Sequence, residues 1–279
     1  MSINYSSSGS PLGKRVAYET QYNPALLYPI PRAEKRAELG ITNVLPFVGM
    51  DIWNAYELSW LNLRGKPLVA LAEFIVPADS PNIIESKSLK LYLNSYNRSQ
   101  LSSQEEIEAR IAADLSAAAQ APVAVRIIPV HQTPVRSMGV PKGVCIDDLD
   151  VSIDIYEPTP TLLQTRPGRV ASDETLYSHL LKSNCLVTGQ PDWGMLAIRY
   201  SGPEIDREAL LRYIVSFREH NEFHEQCVEQ IFCDMQRECR PERLAVWARY
   251  TRRGGLDINP VRATDNDWAA VGNQAEARQ

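Results

Sequence analysis

The sequence has 279 residues, of which 44% are hydrophobic and 23% charged, a globular composition with enough chain for one large domain or two of ordinary size. A formal net charge of −5 argues against a broad cationic footprint for nucleic acid or an anionic membrane, and leaves room for a small anionic ligand held by a few local cations. No run approaches the ~18 apolar residues of a membrane span, and the five cysteines are odd in number and sparse, so reduced thiols in a cytoplasmic protein are expected.

Residues 1–40 are largely polar, carry Pro11, Pro24, Pro29 and Pro31, and read as an irregular N-terminal arm; residues 1–11 are Ser/Gly-rich and lack the apolar centre of a targeting segment. Residues 67–77 form an apolar run between prolines and predict a strand. A first helix is expected over 85–96, opening with Glu85 and Ser86. Ser103-Gln104-Glu105-Glu106 predicts a capping box ahead of a second helix that carries Ile107, Ile111 and Leu115 at helical spacing. Strands are expected over 123–128 and, from clean alternation, over 151–155. Pro158, Pro160, Pro167 and Gly168 mark a connection. Beyond it a strand is expected over 195–200 and a helix from Asp206 through Leu210, Tyr213, Ile214 and Phe217. A further helix is expected over about 223–239 and a strand over 244–250.

This second set repeats the first. Residues 91–97 (Leu-Tyr-Leu-Asn-Ser-Tyr-Asn) lie over residues 212–218 (Arg-Tyr-Ile-Val-Ser-Phe-Arg) at an offset of 121, the difference between 212 and 91, with aromatic, aliphatic, serine and aromatic positions in register. The same offset lays the strand from Val123 over that from Leu244. A tandem repeat of α+β units follows, each with a helix pair on one face of an antiparallel sheet, over 41–157 and 158–279 after the arm. At this offset Glu85, Ser86 and Lys87 meet Asp206, Arg207 and Glu208, whereas His224 and Glu225 meet Ser103 and Gln104; with a small gap Trp60 falls near Cys185. Each half holds polar residues the other lacks, as a composite site would require and as drift between repeats would also produce.

Four stretches carry candidate chemistry. Residues 183–194 set Cys185 seven residues before Asp192, a thiol nucleophile near a proton donor; a buried cysteine acting as a small hydrophobe is the ordinary alternative. His224 and Glu225 at a helix start can read the donor and acceptor edge of a polar ring, or simply form a solvated first turn. His220, His224 and Cys227 at i, i+4 and i+7 are compatible with zinc, without a fourth partner at recognisable spacing. Lys87 and Lys90, one turn apart beside Ser86 and Ser88, and Thr251-Arg252-Arg253-Gly254-Gly255 offer cations and freed backbone amides to a phosphate, or ordinary surface charge. No dinucleotide-binding glycine fingerprint or P-loop sequence occurs.

Together, residues 85–92, Ser183-Asn184-Cys185 with Gln190-Pro191-Asp192, residues 223–227 and residues 253–260 resemble the NADPH-dependent 7-cyano-7-deazaguanine reductases (QueF) of queuosine biosynthesis, in their long, two-module form. The resemblance implies tandem tunnelling-fold (T-fold) modules, each ββααββ, assembled by oligomerisation as a homodimer, and reduction of a nitrile to a primary amine with two NADPH per turnover. It implies that Cys185 forms a covalent thioimide and Asp192 donates protons. Ile84, Glu85, Ser86, His224 and Glu225 would hold the deazapurine, and Ser86, Lys87, Arg253 and Gly254 would contact NADPH, with no resident metal and no direct nucleic-acid or membrane partner. A zinc-dependent cyclohydrolase-like enzyme on the same kind of fold and a non-catalytic purine-binding module are the alternatives.

Overall fold

The structure, a computed structural model, describes residues 19–132 and 136–279. In chain order its elements begin with β1 (Pro29–Pro31), α1 (Ala33–Glu38), β2 (Val48–Leu61), β3 (Pro67–Pro77), β4 (Asn82–Ile84), α2 (Ser86–Asn94), α3 (Gln104–Ala119) and β5 (Ala124–Pro129). They continue with β6 (Val144–Cys145), β7 (Thr165–Asn184), β8 (Pro191–Ile205), α4 (Arg207–Ser216), α5 (His224–Cys239), β9 (Arg243–Tyr250), β10 (Leu256–Ala263) and α6 (Asn266–Ala269). The expected α+β class is what these elements make. They gather into two compact units that interleave along the chain: the first takes residues up to 33, 53–132 and 252–257, the second 34–52, 136–251 and 258–279.

In the first unit β5, β3 and β2 lie side by side, with β3 and β5 antiparallel from Ala70↔Pro129 to Ile75↔Ala124. Along β3 every second residue from Ala70 to Val76 is buried. Ile107, Ile111, Leu115 and Ala119 of α3, four apart, are fully buried, so the period-2 face of the sheet and the helical stripe build one core. In this unit the starts of α2 and α3 have side-chain caps, from Glu85 and Ser103. The Ser103 hydroxyl accepts from Glu106 N at 3.2 Å; the reciprocal half of the expected capping box is displaced by one residue, since Glu106 accepts from Ser102 rather than Ser103. The irregular arm expected over 1–40 lies outside the described residues as far as 18, and its remainder is more ordered than expected. There Asn23 caps the turn Pro24–Leu26 and β1 pairs antiparallel with β4.

The second unit has the order ββααββ from β7 to β10, with β10, β9, β8, β7 and β6 adjacent in that order and only β6 parallel to its neighbour. Its helix-facing core includes Cys227, Val228, Ile231, Phe232 and Met235 of α5. Ile52, Met195, Ala197, Trp247, Val261 and Trp268 form a further buried cluster, Trp268 being supplied by α6.

The internal repeat is realised in detail. Helix α4 starts 121 residues after α2, and α5 starts 120 after α3. Tyr92 donates to Asp114 at 2.6 Å and Tyr213 to Asp234 at 2.7 Å. Ser95 and Ser216 each return a hydroxyl to the tyrosine carbonyl at 2.6 Å, and edge-on aromatic pairs, Tyr92–Tyr96 and Tyr213–Phe217, follow in each helix. One expectation fails: residues 151–155 form no strand. Their alternation is present, but they have no ladder partner among the described residues and Ile155 is exposed, and a strand needs pairing as well as period.

Candidate active site

Cys185 stands at the end of β7, where the β7–β8 hairpin closes. Its amide donates to Gln190 O at 2.8 Å and its carbonyl accepts from Gly189 N at 2.9 Å, with Gly189 at φ +64° supplying the left-handed turn that a side chain would resist. Asn184 N donates to His220 O at 2.7 Å, and Glu222 N donates back to Asn184 O at 3.1 Å. The thiol-bearing residue is therefore half-buried on a segment tied both across the hairpin and to the approach of α5. Ser183 is paired with Asp192 in the ladder, which brings a buried carboxylate, 3% exposed, onto the adjoining strand.

Helix α5 starts at His224 without a side-chain cap. His224 Nε2 lies 3.3 Å from Asp192 Oδ2, and the imidazole lies flat on Tyr250, with centroids 3.8 Å apart and planes 5° off parallel. Glu225, 2% exposed, follows in the same turn. His224 Nδ1, Ser183 Oγ, His220 Nε2, both polar atoms of the Gln226 amide and the Tyr250 hydroxyl are buried with no hydrogen-bond partner among the described residues. Buried polar atoms are nearly always paired, so these atoms on β7, β9, α5 and the segment before it are candidates for contacts to a polar ligand. Burial and the Lys35 charge press His220 down to about 4, so it is neutral near pH 7.

Sequence reasoning did not find Ser183, Gln226 or Tyr250 as site residues, and it named His220 only as a candidate zinc ligand. Tyr250 is the last residue of a strand read as apolar, and nothing in its spacing reveals that it seats an imidazole. The zinc grouping does not survive: His220 precedes α5, so it does not share a helical face with His224 and Cys227. His224 also faces Asp192, and Cys227 is fully buried in the core of α5.

The other predicted residues lie in the first unit. Ile84 ends β4, and Glu85 caps α2, its two oxygens accepting from Lys87 N and Ser88 N at 2.8 Å each. Burial pushes the Glu85 carboxyl pKa up, and those two amides oppose the shift. Ser86 and Lys87 form the first turn of α2; Lys90, one turn on, is paired with Glu57. Residues 253–256 make a tight turn in which Arg253 N donates to Leu256 O at 2.8 Å and Leu256 N to Arg253 O at 3.1 Å. Gly255, at φ +78°, packs so closely on Glu57 that a Cβ would sit 2.6 Å from its carboxyl carbon, whereas Gly254, at φ +58°, opens onto free space. Asp257 accepts from Asn54 Nδ2 and the Tyr56 hydroxyl at 2.6 Å each, and the Arg252 guanidinium lies 4.3 Å from the Tyr56 ring centroid, which supports the strand around this turn.

Residues 18–127 match the family described as nitrile reductase, 7-cyano-7-deazaguanine-reductase N-term, and residues 191–268 match the QueF-like protein family. The NADPH-dependent 7-cyano-7-deazaguanine reductase of Azoarcus sp. (strain BH72) is 64% identical over 267 residues, spanning 95% of this chain and 94% of its own. That of Dechloromonas aromatica (strain RCB) is 62% identical over 274 residues, or 98% and 96% of the two chains. The chain belongs to the NADPH-dependent 7-cyano-7-deazaguanine reductases. The reductase of Ralstonia nicotianae (strain ATCC BAA-1114 / GMI1000) is similar at 60% over 259 residues, 92% of this chain and 94% of its own. Membership in this NADPH-dependent oxidoreductase family of the queuosine pathway sets aside the cyclohydrolase and non-catalytic alternatives. It also gives the repeat a meaning, because the two family matches fall one on each half. No helix among the described residues is long and apolar enough to cross a membrane.

Proposed function

We propose that this chain reduces the nitrile of 7-cyano-7-deazaguanine to the aminomethyl group of 7-aminomethyl-7-deazaguanine through a covalent thioimide on Cys185. The observation that carries the reading is the half-buried Cys185 on a pinned hairpin whose next strand presents buried Asp192, itself 3.3 Å from His224 Nε2. A nitrile is a poor hydride acceptor. Addition of the Cys185 sulfur to its carbon forms a C–S bond and moves one C–N π pair to nitrogen, where Asp192 delivers a proton; the Cys185 thiol gives its own proton to water as the thiolate forms. The resulting C=N bond accepts a hydride, collapse of the adduct returns the Cys185 thiolate and an imine, and a second hydride completes the amine. One nitrile therefore consumes two hydrides and, net, two protons.

NADPH supplies those hydrides when bound. The residues proposed for it fit in kind: Gly254 leaves an open, left-handed turn beside Arg253, and Ser86 and Lys87 stand at the positive end of α2, a donor and cation set suited to a 2′-phosphate. Glu225 is assigned the fork of ring N–H groups, His224 the adjoining edge of the deazapurine, and the 84–86 segment a further contact. The unpaired polar atoms buried on β7, β9 and α5 are available for hydrogen bonds to the ligand, and burial there keeps bulk water from the imine.

The same reading takes the two units as T-fold modules, with the ββααββ order of the second in its favour, the repeat boundaries at 41–157 and 158–279 after an arm over 1–40, a homodimer, and a cytoplasmic place where a free base is made before any contact with tRNA. Mixing the protein with the nitrile in the absence of NADPH tests it: a new absorbance from the adduct is expected, absent in Cys185→Ala. NADPH consumption by Cys185→Ala at the unsubstituted rate would remove Cys185 from the mechanism.

A further inference from the structure

A second cluster of reactive side chains lies in the second unit, away from Cys185. The two-residue edge strand β6 runs parallel to β7, with Cys145 beside Tyr177. His179, two residues further along β7, points to the same face as Tyr177 and lies six residues, about 20 Å of extended chain, before Cys185. Asp147 folds back over this point. One donor atom each from Cys145, Asp147 and His179 lies within 4.8 Å of the others.

Asp147 is held firmly. Its Oδ1 accepts from the Ser178 hydroxyl at 2.6 Å, the His179 amide donates to both carboxylate oxygens at 3.2 and 3.1 Å, and His179 Nδ1 lies 2.8 Å from Oδ2. Gly143 passes so near β7 that a Cβ would fall 2.4 Å from Thr175 O, and Ile146 N donates to Tyr177 O at 3.0 Å, so the chain is fixed on both sides of Cys145.

We propose that Cys145, Asp147 and His179 are the three protein ligands of a zinc-class divalent metal site whose fourth position faces solvent. The donor set selects the ion, because a thiolate with an imidazole suits zinc or cobalt and is foreign to calcium and magnesium. Metal–ligand bonds of about 2.0–2.3 Å put tetrahedral donors roughly 3–4 Å apart, so small side-chain shifts close the site. On binding, the hydrogen bond between His179 Nδ1 and Asp147 is exchanged for one bond from each to the ion, and Cys145 releases its thiol proton to water. Thiolate and carboxylate then balance the 2+ charge. Ser178 and the His179 amide orient the carboxylate from behind, as outer partners do in built metal sites. Cys145 is exposed, so the remaining position is open. Such an ion fastens the short β6 to β7 and takes no part in nitrile reduction.

Cobalt titration of the Cys185→Ala protein tests this, because that background removes one of the two half-buried thiols, while burial holds the other, Cys233, and the buried Cys227 and Cys239 up at about 12. A thiolate-to-cobalt charge-transfer band is expected, saturating at one cobalt per chain and abolished by one equivalent of zinc. Adding Cys145→Ser should delete the band, and His179→Gln should weaken binding at least about tenfold. As a measure that needs no second substitution, one equivalent of zinc should slow thiol labelling of Cys145 at least tenfold. Absence of the band, its survival in Cys145→Ser, or a labelling rate unchanged by zinc would overturn the site.

Discussion

Tyr250 lies flat against His224 and so fixes the plane of that imidazole. An aromatic stack is worth about 0.5–1.5 kcal/mol beyond area burial. Tyr250→Leu should therefore raise KM for the nitrile about three- to tenfold, whereas Tyr250→Phe, which keeps the ring, should stay close to the unsubstituted enzyme. Steady-state kinetics on the two variants check this; equal KM values would deny the stack a positioning role. His220 makes a pH prediction. Its pKa near 4 lies below the ordinary 6.5, so as pH falls through that window the unfolded chain binds the proton first and the folded state loses stability, by up to about 3 kcal/mol. The loss begins near pH 6.5 and is complete below about pH 4. His220→Gln lacks this proton, so the melting-temperature gap between the two proteins should narrow from pH 7 to pH 4.5; a constant gap would contradict the assignment. Within the candidate site, Cys185, Asp192, His224 and Glu225 stand in local sequence motifs, so the sequence could single them out. Tyr250 and Ser183 could not be singled out, because only strand pairing and ring stacking across distant residues give them a role.

Among the elements, the helix pairs carry the clearest record of the repeat. Tyr213 donates to Asp234, which also receives Arg237 at 2.6 Å; Tyr92 donates to Asp114, which also receives Tyr22 at 2.8 Å. Asp234 is pushed up by burial and held down by Tyr213 and Arg237, so loss of the tyrosine hydroxyl leaves a buried carboxylate with one partner fewer. Tyr213→Phe should cost about 1–3 kcal/mol in urea unfolding, and Tyr92→Phe a similar or smaller amount because Tyr22 remains. A change under about 0.5 kcal/mol in Tyr213→Phe would show that the hydroxyl is not structural. The register of residues 91–97 on 212–218 was legible because these side chains make the same bonds in both halves. The 20-residue β7 was not, since its bulged ladder mixes exposed and buried residues without sustained alternation, and residues 151–155 misled for the converse reason.

At the scale of the whole molecule, two features escape any reading of local pattern. Fully buried Arg262 binds Asp51 and Glu229 at 2.8 Å each, and Glu229 also takes Arg36 at 2.7 Å, an ion network drawn from four distant points of the chain inside the second unit. The compact units themselves interleave, with residues 34–52 and 252–257 each assigned to the unit away from their sequence neighbours. Composition, repeat and motif order nonetheless lead to one enzyme family, because four motifs in the same order are far more specific than any one of them. The central claim is tested by counting NADPH oxidised per 7-cyano-7-deazaguanine consumed at completion. A ratio of two, with none oxidised by Cys185→Ala, is predicted; a ratio near one, or turnover without Cys185, would contradict the account.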